Sequence, residues 1–160
     1  MLKTLVLYYS YEGSTQKVAE YLTKSLGLDI ARVIPVKEMK TKGFGKFFWG
    51  GSQVIMKKKP DILPLNIDFD QYDLILLGSP IWAGTFTPPI YTLLESGLLH
   101  DKKLGYFYCH EGGAKGAVDK LKAVCGPTNT VISSFSCPNV KNDFDKIKTS
   151  LLTWAKDITK

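Results

Sequence analysis

The chain has 160 residues, 44% of them apolar, which suits one domain with a sizeable core. No apolar run approaches the roughly 18 residues of a membrane span, and Met1 to Thr4 lead into a strand-like segment without a signal-peptide pattern, so the expected setting is the cytoplasm. The net charge of +6 sits in one stretch: Lys37, Lys40, Lys42, Lys46, Lys57, Lys58 and Lys59 face only Glu38, and the remaining residues carry 14 basic and 14 acidic side chains. Cys109, Cys125 and Cys137 are odd in number and show no C-x-x-C spacing, which argues against a disulfide framework or structural zinc. Aromatics spread along the whole chain argue against disorder.

Strand-length apolar runs alternate with segments of helical period. Leu2 to Tyr9 is nearly continuous in apolar residues, as for a central strand buried on both faces. From Ser14 to Leu26, Val18, Tyr21, Leu22 and Leu26 recur at helical spacing, and Gly27 is a stop. Ile30 to Val36 reads as a second strand, and Lys40 to Lys59 as a loop leading into an imperfect helix. Tyr72 to Leu77 is the third strand, ending at Gly78-Ser79-Pro80. A helix follows from Thr87 or Pro88 to about Ser96, with proline in the first turn, where its missing N–H is not needed. Lys103 to Cys109, Ala114 to Val124 and Thr130 to Phe135 read as strand, helix and strand. In the last helix Phe144, Ile147, Leu151, Trp154 and Ile158 form one stripe facing the sheet. The pattern predicts an α/β fold, a doubly wound five-stranded parallel sheet between helix layers, for which right-handed crossovers favour the order 2-1-3-4-5.

In such sheets ligands bind beyond the carboxyl ends of the strands, near the point where strand order reverses. The loop Ser10-Tyr11-Glu12-Gly13-Ser14-Thr15 joins the first strand to a helix and surrounds its N-terminus with hydroxyls, a place that accepts a phosphate without lysine. An ordinary N-cap reads equally well from this loop alone. There is no G-x-x-x-x-G-K-[ST] and no G-x-G-x-x-G after the first strand, which counts against a P-loop triphosphatase and a Rossmann site. The loop from Ser79 to Pro89 sets Trp82 and Phe86 at the sheet mouth, where an aromatic stacks on a flat ligand or folds back over the next helix. His110-Glu111-Gly112-Gly113 carries paired glycines that let backbone approach a ligand.

Taken together, Ser10-x-x-Gly13-x-Thr15, Gly78-Ser79-Pro80-x-Trp82 and the glycine-bearing third loop resemble the flavodoxin family, over essentially the whole chain and in its short form. The resemblance implies FMN as cofactor. It implies that Ser10, Gly13, Ser14 and Thr15, with the amides of Tyr11 and Glu12, hold the phosphate. It further implies that Trp82, within Ser79-Pro80-Ile81-Trp82, stacks on the isoalloxazine, that the Ala83-Gly84 peptide lies near flavin N5, and that His110, Glu111, Gly112 and Gly113 approach the pyrimidine side. Two departures stand out. Glu12 replaces a threonine of many flavodoxins, so its carboxylate is expected to point away from the phosphate. The third loop lacks the tyrosine that many flavodoxins place over the outer face, leaving Phe86, Trp49 or Tyr11 as a substitute, or an open face.

The function implied is electron transfer between redox partner proteins or small acceptors. An NAD(P)H-dependent reductase of quinones or similar acceptors is the alternative, motivated by the open face and the basic stretch. There His110 would assist proton transfer, although a loop histidine also reads as a simple polar contact. The lysines alone raise a nucleic-acid or anionic-surface reading, ranked last because Phe47, Phe48 and Trp49 read equally well as packing against the sheet or a partner subunit. No nucleic acid or membrane is expected, and a monomer or homodimer is. In the order 2-1-3-4-5, Lys37, Lys40 and Lys42 fall on the ligand rim, and Lys57 to Lys59 lie about 15–20 Å away if the segment between is helical, at about 1.5 Å per residue.

Overall fold

The structure is a computed structural model that describes residues 1–38 and 59–160. The loop and imperfect helix expected from Lys40 to Lys59, with Lys40, Lys42, Lys46, Trp49, Lys57 and Lys58, lie outside the described residues apart from Lys59.

Five parallel strands are β1 (Thr4–Tyr8), β2 (Asp29–Arg32), β3 (Leu74–Pro80), β4 (Lys102–His110) and β5 (Asn129–Pro138), ordered β2-β1-β3-β4-β5. Among the described residues four helices connect or follow them: α1 (Ser14–Leu26), α2 (Pro88–Glu95), α3 (Ala117–Cys125) and α4 (Val140–Ile158). The near-continuous apolar runs have the cause expected of central strands, since each strand feeds both faces by turns. Leu5, Leu7 and Tyr9 join Ile75 and Leu77 beneath Ile90 and Leu93 of α2 and Leu121 of α3. Val6, Tyr8, Leu74 and Leu76 join Val18, Ala19 and Leu22 of α1 and Leu151 and Ala155 of α4. The stripe Phe144, Ile147, Leu151, Trp154 and Ile158 lies in this second layer, and Trp154 Nε1 also donates to Ser133 Oγ at 2.8 Å.

Several boundaries differ from the sequence reading, each for a local reason. β2 stops at Arg32 because the chain turns to another partner. Val33 N still donates to Tyr8 O, but Ile34 to Val36 pair antiparallel with 61–63, through Leu63 N to Ile34 O and Val36 N to Asp61 O, both 2.8 Å. α3 starts only at Ala117, behind Gly116 at φ +81°. β3 continues through Gly78, Ser79 and Pro80, paired with Phe107, Tyr108 and Cys109. Gly78 is required there by close approach, because a Cβ on it would overlap the Phe107 ring.

The basic stretch is split at its described ends. Lys37 is exposed just beyond the 34–36 pairing, whereas Lys59 binds Glu95 at 3.1 Å, at the end of α2 remote from the cleft.

Candidate functional site

A cleft of about 270 Å³ opens at the carboxyl edge of the sheet, between the loops that follow β1, β3 and β4. β1 and β3 are neighbours whose crossovers leave in opposite directions, so this is the switch point where an open α/β sheet offers a crevice.

The β1–α1 loop supplies one wall through Ser10, Tyr11, Glu12, Ser14 and Thr15. Ser10 Oγ accepts from Gly13 N at 3.2 Å, which folds the loop back on itself. Gly13, at φ +99°, is the N-cap of α1 and supplies no side-chain bond, and the first turn holds no acidic residue. The free amides of the helix start are therefore left without a side-chain acceptor from the cap. Thr15 Oγ1 is buried, in a residue 1% exposed, and finds no hydrogen-bond partner among the described residues. A buried hydroxyl left unpaired costs about 1–3 kcal/mol, and a phosphate oxygen arriving at the helix N-terminus would satisfy it.

Two cations brace this loop from outside the sequence motif. Arg32, the last residue of β2, donates through Nη2 to Ser10 O at 2.8 Å and through Nη1 to Gln16 Oε1 at 3.3 Å. Lys141 on α4 pairs with the Glu12 carboxylate at 3.4 Å, so the acidic departure at position 12 is neutralised by a partner on the opposite side of the chain's sequence.

The β3 loop supplies Pro80, Ile81 and Trp82. Trp82 is 6% exposed and meets Tyr9 and Tyr11 edge-on, with ring centroids at 6.2 and 5.6 Å. It exchanges backbone hydrogen bonds with Thr85 across a tight turn whose central residues, Ala83 and Gly84, sit at φ +49° and +74°. Lys120 of α3 donates to Gly84 O at 3.0 Å and holds that turn from below. Tyr9 Oη donates to Glu38 Oε1 at 2.7 Å, and burial and that bond together raise the phenol's pKa.

The structure thus gathers Ser10, Tyr11, Glu12, Ser14, Thr15, Pro80, Ile81, Trp82, His110, Glu111 and Gly112 around one cleft. It places Ser79 and Phe86 behind the wall. Ser79 lies wholly buried in β3, accepting from Thr87 N at 3.2 Å, and Phe86 packs in the first core layer, stacked on Tyr91. Gly13, Ala83, Gly84 and Gly113 shape the loops without lining the cleft. Cys109 and Val140 line it without having been singled out by sequence, and Arg32 and Lys141 brace it. Cys109 was legible as the residue before the third loop; nothing local marks Val140 or Lys141, which arrive from α4.

A doubly wound parallel sheet with its cleft at the switch point, an anion-receptive first loop and an aromatic second loop defines the flavodoxin-like class of α/β proteins. The chain belongs to the flavodoxin family, whose model matches residues 3–147. Among solved structures it is similar to a flavoprotein from Lactobacillus acidophilus in complex with FMN, at 30% identity and TM-score 0.75, covering 91% of this chain and 98% of that one. It is 25% identical to a flavodoxin from Maridesulfovibrio salexigens, over 99% of this chain and 97% of that protein. It is also 25% identical to the flavodoxin-like domain-containing protein BilS from Clostridioides difficile, over 85% of this chain, and the match spans 65% of BilS.

Proposed function

We propose that this chain binds FMN and carries one or two electrons between redox partners, either proteins or small-molecule acceptors. The observation that supports the cofactor most strongly is the buried hydroxyl of Thr15, unpartnered among the described residues, at the uncapped start of α1, in the same cleft as Trp82. The FMN-bound Lactobacillus flavoprotein supports the same reading by similarity. When bound, FMN supplies reversible one- and two-electron chemistry, and the protein supplies binding, orientation and electrostatics.

In this reading Ser10, Ser14 and Thr15, with the amides of Tyr11 and Glu12 and of the first turn of α1, hold the phosphate, and the Glu12–Lys141 pair offsets the acidic charge beside it. Trp82, fixed edge-on by Tyr9 and Tyr11, offers a rigid apolar wall to the ring system. The Ala83–Gly84 turn presents backbone polar groups at the ring edge, and Lys120 holds the Gly84 carbonyl. Burial of all three thiols as free cysteines fits a reducing compartment such as the cytoplasm.

The purified protein should be yellow, or turn yellow on adding FMN, and release one FMN per chain on denaturation. Absence of tight FMN binding would refute the reading. Oxidation of NADPH with a quinone should not exceed that of free FMN; faster turnover would make the chain a reductase rather than a carrier.

A further inference from the structure

Among the described residues, the His110 side chain ties the loop after β4 to the sheet. Gly112 N donates to His110 Nδ1 at 3.0 Å, so Nδ1 carries a lone pair and the ring proton resides on Nε2. That Nε2–H then donates to Ser136 Oγ on β5 at 2.7 Å. The His110 carbonyl accepts from Asn139 N at 2.8 Å, and the ring stacks on Tyr108 with centroids 5.9 Å apart. Both ring nitrogens are thus spent inside the protein, and the ring has a single hydrogen-bonding arrangement, the neutral one.

What the ring holds matters to the cleft. Gly112 and Gly113 sit at φ +123° and +70°, backbone conformations that glycine allows but does not enforce. The loop also abuts the turn after β3, since a Cβ on Gly84 would lie 3.4 Å from Gly113 O. Displacing Gly112 therefore moves the wall that faces Ala83 and Gly84.

We infer that His110 is the positioning residue of the 110–113 loop, and that protonating its Nδ1 releases the Gly112 amide, loosens the loop and weakens flavin binding. The ligand in this statement rests on the FMN reading above; the clasp itself rests on hydrogen-bond geometry. Among the described residues, the groups in contact with the ring are Tyr108 on its own strand, Ser136 on β5 and Gly112 in the loop. The charged groups lining the same cleft are Glu111 and Glu12, the latter paired with Lys141 of α4. Burial lowers the ring's pKa from its ordinary value of 6.5. The sign follows: the holding form is complete above that ordinary value and is lost as pH falls through the lowered one, so affinity falls in acid and not in base.

The test compares wild type with His110→Asn and His110→Ala. Asparagine offers Oδ1 to the amide two residues on, as in an Asx turn, and does not titrate. FMN affinity, read by flavin fluorescence at about pH 7.5 and about pH 5, should fall in wild type at least about fivefold more than in His110→Asn, the share of one neutral hydrogen bond. Phosphate protonation affects both proteins alike and cancels. His110→Ala should bind about fivefold more weakly than wild type already at pH 7.5. Without flavin, the Gly112 amide should exchange slowly in wild type and His110→Asn and fast in His110→Ala. Equal pH dependence in wild type and His110→Asn, or equal Gly112 exchange in wild type and His110→Ala, overturns the inference. If none of the three binds FMN, the cofactor reading has failed and the exchange experiment alone decides the clasp.

Discussion

The two walls of the cleft are built to different degrees of completeness. On the β3 side Trp82 is locked between Tyr9 and Tyr11, Trp82 and Thr85 exchange backbone bonds, and Ser79 and Thr87 satisfy one another behind them. On the β1 side Thr15 keeps a buried hydroxyl without a partner among the described residues, and α1 starts without a side-chain cap. In the proposed reading the first wall is complete before a ligand arrives, and the second gains hydrogen bonds from an arriving anion. Affinity should therefore come mainly from the loop of 10–15 and ring placement from the turn of 82–85.

The largest expected effect comes from breaking the finished wall. Trp82→Ala should lower the stability of the flavin-free protein by about 3–5 kcal/mol in denaturant unfolding, the range for a large buried aromatic. A loss well under 1 kcal/mol would mean that the β3 wall is not self-supporting and would dissolve the contrast. Thr15→Val should act with opposite signs on stability and binding. Removing an unsatisfied buried hydroxyl should stabilise the flavin-free protein by about 1 kcal/mol, while FMN affinity drops at least about tenfold through loss of a bond to a charged group. A variant that loses stability and keeps its affinity would show that the hydroxyl has a partner within the fold.

Smaller effects sharpen the picture. Lys141→Ala removes one exposed cationic partner of Glu12, beside the proposed anion site, and FMN affinity should fall about twofold, less at high salt. The weakest effect should be on the thiols. All three cysteines are buried, and burial pushes the Cys125 thiol up to about 11. At pH 8 its thiolate is then about a thousandth of the population, and iodoacetamide should label the folded protein only on the timescale of opening. Rapid labelling of Cys109, which lines the cleft, would mean that the rigid wall opens readily.

The sequence carried the layers well where burial dictates composition. The unbroken apolar runs of β1 and β3, the period of α1 and the stripe on α4 announce their elements because each must cover the sheet. It carried boundaries less well where pairing decides them. Ser79 and Pro80 look like turn residues, yet β4 offers Tyr108 and Cys109 as partners and draws them into the sheet. Ile34 and Val36 look like strand, yet the chain leaves β1 to pair with 61–63. The same division holds in the site. Residues contiguous with a loop motif were legible, whereas Val140 reaches the cleft, and Arg32 and Lys141 brace its first loop, only through the packing of β2 and α4 around it.

The most direct measurement is a side-by-side titration of the flavin-free protein with FMN and with riboflavin, which differ only by the phosphate. If the loop of 10–15 is the anion site, FMN should bind at least about 100-fold more tightly, the equivalent of two charge-assisted hydrogen bonds, and Thr15→Val should narrow that gap to about tenfold. Equal affinity for the two flavins in the wild-type protein would contradict the account, because it would place the binding energy on the aromatic wall and leave the open hydroxyl of Thr15 without a role.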